Sequence, residues 1–108
     1  MTKRKALAEI AIDPKRGWIL PGFGTKKPDM IRFQAWVHFE KDEAWGKQTW
    51  TLLLDMPRMP EPTALSAEAT VYFLADEAPH HLLEEGAKFE LLHGHNQYTH
   101  DVIKKVIM

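Results

Sequence analysis

From Ile31 to Phe39 the chain alternates with a period of two. Ile31, Phe33, Ala35, Val37 and Phe39 hold the odd positions, and Arg32, Gln34, Trp36 and His38 hold the even ones. An extended backbone sends successive side chains to opposite faces, so this spacing predicts a half-buried strand with an apolar inner face. The same period recurs elsewhere. Ala67, Ala69, Val71, Phe73 and Ala75 alternate with Glu68, Thr70, Tyr72 and Leu74. Within Gln48–Leu54, Trp50, Leu52 and Leu54 share one side. Ala6, Ala8, Ile10 and Ile12 share another, as do Phe89, Leu91 and His93. Val102–Ile107 is β-branched and apolar on both faces, which leaves its inward side undecided.

Turn chemistry separates these six segments. Asp13-Pro14-Lys15-Arg16-Gly17 suits a tight turn, and residues 21–29 form a longer loop bounded by prolines. Three prolines within Asp55–Pro62 remove backbone donors and exclude a central strand or helix interior there. Glu84-Glu85-Gly86 and Gly94-His95-Asn96 are further turns. Only Pro79–Glu85 can form a helical turn, one expected to be too short to build core. Short strands with regular turns predict a single all-β domain over residues 1–108, a sandwich or a barrel.

Composition narrows the functional classes. The 108 residues include 44% hydrophobic and 27% charged side chains, enough to bury one core. No apolar run approaches the roughly 20 residues of a membrane-spanning helix. Glu9 and Asp13 interrupt what a signal peptide would keep apolar. The absence of cysteine excludes disulfides, thiolate nucleophiles and Cys-ligated zinc. A cytoplasmic protein is the expectation. Charge is uneven along the chain: residues 1–36 carry eight Lys/Arg against three Asp/Glu, and the remainder six against twelve. A basic patch facing an anionic partner is one consequence, a mixed-sign surface the other.

Reactive chemistry is sparse. Of the six histidines, His93 and His95 would project to one face of a strand, with His100 returning across a hairpin. Zinc needs three or four such ligands, but Gly94 interrupts the strand between the first two. A metal-dependent enzyme at these three histidines is therefore the weakest expectation. Gly22–Lys27 lacks the spacing and following helix of a phosphate-cradling loop, so nucleotide binding is not expected. Ser66, the only serine, has no nucleophile-elbow glycines beside it. Asp42-Glu43, Asp76-Glu77 and Glu84-Glu85 fall in loops, where carboxylates are solvated. No cofactor is implied.

The aromatic residues say more. If the odd positions of Ile31–Phe39 face inward, Trp36 faces outward with Arg32, Gln34 and His38. Trp18 lies near Arg16, and Trp45 is in a loop. Exposed tryptophan near arginine is the composition of binding hot spots, and it also suits stacking on bases.

The chain's two ends resemble a known family. Glu84-Glu85-Gly86-Ala87-Lys88-Phe89-Glu90-Leu91-Leu92-His93-Gly94, followed by Val102–Ile107, is similar to the end of the C-terminal β-barrel domain of translation elongation factor Tu. Ala8-Glu9-Ile10 resembles that domain's opening strand. Gly24–Phe33 looks like its Gly-Tyr-Arg-Pro segment leading into an aromatic strand. The resemblance implies a six-stranded antiparallel closed barrel, without the factor's GTPase domain or GTP hydrolysis. In the family this barrel packs on companion domains, contacts the T arm of tRNA and meets an exchange factor. Here His95, Tyr98, His100 and Asp101 stand where the family has glycine, small or apolar residues, so side chains obstruct the phosphate approach.

The function expected is a free-standing, non-enzymatic module binding a protein partner, with no membrane or nucleotide involvement. Its docking surface would combine Arg16, Trp18, Lys26, Lys27, Arg32, Trp36 and His38. One form is an immunity protein that neutralises a toxin. The alternative is RNA binding, with Lys26, Lys27 and Arg32 on phosphates and Trp36 stacked on a base.

Overall fold

The computed structural model describes residues 4–12, 23–24, 30–41, 50–58, 60–61, 63–93, 96–97 and 99–107. Among these residues eight strands follow in chain order: β1 Ala6–Ala11, β2 Phe23–Gly24, β3 Ile31–Phe39, β4 Trp50–Met56, β5 Ser66–Phe73, β6 Lys88–His93, β7 Asn96–Gln97 and β8 Asp101–Val106. All their pairings are antiparallel. The order β3-β4-β5-β1-β8-β6 returns to β3 through a β3–β6 ladder, so six strands close a barrel. The two-residue strands β2 and β7 extend its ends. Closure removes the unpaired edges that an open sheet would present.

The alternation sorts into inside and outside as expected. Phe33, Ala35, Val37 and Phe39 of β3 point into the barrel, as do Ala6, Ala8 and Ile10 of β1, and Ala69, Val71 and Phe73 of β5. Leu52 and Leu54 enter from β4, Phe89 and Leu91 from β6. On β1 and β5 the small buried residues Ala8 and Ala69 stand opposite each other. Phe39 packs on Phe73 at 5.7 Å and on Phe89 at 5.0 Å between ring centroids. Each wholly buried Phe or Leu contributes about 1.5–3 kcal/mol.

The undecided strand is resolved by register. In β8 the buried positions are Asp101 and Ile103, and a shift in pairing opposite Leu7 and Ala8 leaves Lys104, Lys105 and Val106 exposed. Two other boundaries differ from expectation. β4 runs through Asp55 and Met56, because the donors are lost only from Pro57 onward. The segment 21–29 contains β2, whose Phe23 and Gly24 pair with Arg32 and Ile31. The helical turn also does more than its length suggested. It is a 3-10 turn, His80–Leu82, that brings Leu82 and Leu83 into the core, where Leu83 is wholly enclosed. The following turn is closed by the Ala87 amide donating to the Glu84 carbonyl at 3.0 Å. Gly86 sits there at φ 84°, a conformation that favours glycine.

Leu83→Ala should lower stability by about 2–5 kcal/mol in urea unfolding. Exposed Leu65→Ala should change it by less than about 0.5 kcal/mol. Equal stabilities would contradict the role assigned to the 3-10 turn.

Candidate functional site

The outward row of β3 holds three of the residues singled out from sequence, Arg32, Trp36 and His38, each in a different environment. The proposed residues Arg16, Trp18, Lys26 and Lys27 lie outside the described residues.

Arg32 is part of an outer polar cluster. Its Nε donates to Asp55 Oδ1 at 2.9 Å and its Nη2 to Asp55 Oδ2 at 3.3 Å. Tyr72 donates its hydroxyl to Asp55 Oδ2 at 3.0 Å. The Arg32 guanidinium and the Lys5 ammonium both lie over the Tyr72 ring, at 5.8 and 4.9 Å. Pairing aligns Gln34 with Leu53 and Leu53 with Tyr72, and Leu53, Asp55 and Tyr72 are buried although their parity is outward. The Asp55 hydrogen bond holds the Arg32 pKa above its ordinary value. Burial, then Asp55, pushes Tyr72 up to about 12. The charge of Arg32, expected at a docking surface, is thus balanced inside the fold.

Trp36 is half exposed, at 49%. On one side it pairs with Leu92 of β6, on the other with Thr51 of β4. Beyond Thr51, the Leu74 amide donates to the Thr51 carbonyl at 3.0 Å, and Leu74 is 50% exposed. Leu92, Trp36, Thr51 and Leu74 therefore form a largely apolar strip across four neighbouring chain segments.

His38 pairs with Glu90, its Nδ1 lying 3.0 Å from Glu90 Oε1. Both line a groove of about 410 Å³ bounded by Glu40 of the β3 end, Lys88 of β6, Glu9 and Ala11 of β1, and His100 and Val102 at β8. Its floor reaches Phe89 and Asp101, where the β6–β8 ladder holds two residue pairs among the described residues, Lys88 with Val102 and Phe89 with Asp101.

Asp101 stitches that seam. The Ala11 amide donates to its Oδ1 at 3.1 Å, and the Thr99 hydroxyl donates to its Oδ2. Thr99 Oγ1 in turn accepts the Leu91 amide at 3.3 Å. Burial pushes the Asp101 carboxyl up to about 7, opposed by its Thr99 and Ala11 donors and reinforced by the charge of Glu90.

Of the three histidines expected as ligands, two fall among the described residues. His93 ends β6, His95 lies outside the described residues, and His100 is exposed at the groove. Among the described residues no group of three or more His, Cys, Asp or Glu could hold a metal ion. Among the same residues no helix is long and apolar enough to cross a membrane. Sequence reasoning missed Glu9, Glu40, Glu90, Leu74, Thr99 and Asp101. Period-two patterning shows which face a residue takes, but not which residue of a distant strand stands beside it.

No family model, curated protein or solved structure matches this chain. A six-stranded antiparallel barrel is common to the structure and to what the elongation factor Tu resemblance implied. Nothing further links the chain to that factor.

Two outcomes follow from the polar pairs. Arg32→Ala leaves the buried Asp55 carboxylate without its fork and should cost about 1–3 kcal/mol in thermal or urea unfolding. Asp101 has a folded pKa near 7 against an ordinary 3.8, so its stabilising contribution is complete below pH 3.8 and lost as pH rises through 7. From this group alone, stability should fall by up to about 1.4 kcal/mol per pH unit across that window. Asp101→Asn should remove that decline, measured as urea midpoints from pH 4 to 8. Parallel curves for the two proteins would contradict it.

Proposed function

We propose that this chain is a non-enzymatic binding module that docks a protein partner on the outer face of β3. The observation that carries the proposal is the strip centred on Trp36. A large indole stands half exposed on a strand paired on both sides, so its backbone is already ordered before binding. An anchor that needs little ordering loses little entropy on docking, and tryptophan is the residue type most enriched at binding hot spots. Thr51, Leu74 and Leu92 widen the apolar area around it. A neutralising protein seated on its target is one form such a module takes.

Arg32 and the groove favour a protein partner over RNA at this face. Phosphate binding needs cations available to the backbone, whereas Arg32 is held by Asp55 and the groove beside Trp36 is rich in carboxylates.

Trp36→Ala should lower stability by no more than about 1 kcal/mol, because half of the ring is already in water. Partner binding should weaken at least tenfold. The check is a pull-down from lysate of the source cells with and without nuclease, the captured species identified by mass spectrometry. Capture that survives nuclease, is lost with Trp36→Ala and is kept with Leu65→Ala supports the module. Capture abolished by nuclease supports RNA instead.

A further inference from the structure

The apolar strip runs into the groove without a break in register. Trp36 stands beside Leu92, and His38 beside Glu90. One step further, the Glu40 amide donates to the Lys88 carbonyl at 3.0 Å. Three successive outward rows thus pass from apolar, through polar, to charged, over the four residue steps from Trp36 to Glu40. An extended chain rises about 3.3 Å per residue, so these rows span about 13 Å.

The charged end is acidic. Glu9, Glu40 and Glu90 line the groove, and Lys88 is the ammonium among its lining residues. Of the neighbouring lysines, Lys41 meets Glu84 outside the groove, whereas Lys104 offsets Glu9 within it, so Glu40 and Glu90 carry the acidic sign. Lys104 lies 3.7 Å from Glu9 and 3.4 Å from Glu68, and Lys41 lies 3.3 Å from Glu84. His38 already meets Glu90, and Arg32 is held at the far end of β3 by Asp55. A phosphate backbone or an anionic lipid surface would be repelled by such a field, while a cationic chain would be drawn to it.

We propose that this face docks an extended basic segment of a protein partner, an apolar side chain seating on Trp36 and an arginine or lysine about four residues along lying over Glu40 and Glu90. The proposal rests on the binding-module reading above and adds the sign of the partner's charge. Exposed carboxylates act mainly on encounter rate and orientation and are screened by salt, so the apolar anchor supplies the persistent part of the contact.

The probe is a synthetic eleven-residue peptide with a central leucine and an arginine four residues to either side. Its control carries glutamates at the arginine positions. Both are titrated into the intact 15N-labelled protein at low salt. The arginine peptide should shift the amides of residues 36, 38, 40, 88, 90 and 92, and the glutamate peptide should bind at least tenfold more weakly. Glu40→Lys, at an exposed position that leaves folding intact, should weaken the arginine peptide about fivefold or more. Equal binding of the two peptides, a footprint elsewhere, or no shifts up to millimolar peptide would overturn the proposal. The partner captured from lysate separates the two levels. Loss with Trp36→Ala but not with Glu40→Lys overturns the charge assignment and leaves the module standing; indifference to both overturns both.

Discussion

The ladder between β3 and β6 is the constraint from which the rest follows. It closes the six-strand sheet and encloses Phe39 against Phe89. On the outside it sets Trp36 beside Leu92 and His38 beside Glu90. Because β3 is also paired with β4 from Ile31 to Val37, the strand carrying the tryptophan is fixed on both flanks. A closed barrel with a filled interior is stiff, and stiffness is what lets an exposed aromatic serve as an anchor without a large ordering cost.

Two buried carboxylates are satisfied by different means. Asp55 is met by a guanidinium fork and a phenol, so its charge is compensated in place. Asp101 is met by a hydroxyl and a backbone amide. Those donors favour the carboxylate but do not outweigh its burial, and its pKa rises accordingly. The first cluster covers β3, β4 and β5 from outside. The second ties β8 to β1 and, through Thr99, to β6, beside a short β6–β8 ladder.

The inner faces of β1, β3, β5 and β6 were legible because alternation is local: a strand with Phe33, Val37 and Phe39 in step buries that face in any packed sheet. The exposure of Trp36 followed from the same parity. The burial of Leu53 and Tyr72 did not, since both have outward parity, and the residues around them, Gln34 and Leu53 by register and Arg32, Asp55 and Lys5 by side-chain contact, come from distant segments. Asp101 was hidden for a related reason. Val102–Ile107 is apolar on both faces, and only pairing with β1, which sets Asp101 opposite Ile10 and Ile103 opposite Ala8, decides which residues turn inward. The His38–Glu90 contact joins residues 52 positions apart, a distance that only the closed topology bridges. Leu83 was missed because a single 3-10 turn carries too few residues to show a helical period, yet its leucine fills the barrel.

Interstrand NOEs in the intact, isotope-labelled protein test the central claim most directly. If β3 and β6 close the barrel, backbone protons of Trp36 should give cross-peaks to Leu92, and those of His38 to Glu90, alongside the β3–β4 cross-peaks between Ala35 and Leu52. A β3–β4 ladder without any β3–β6 connectivity would mean an open sheet. The strip and the acidic groove would then not adjoin, and the docking face built on them would not exist.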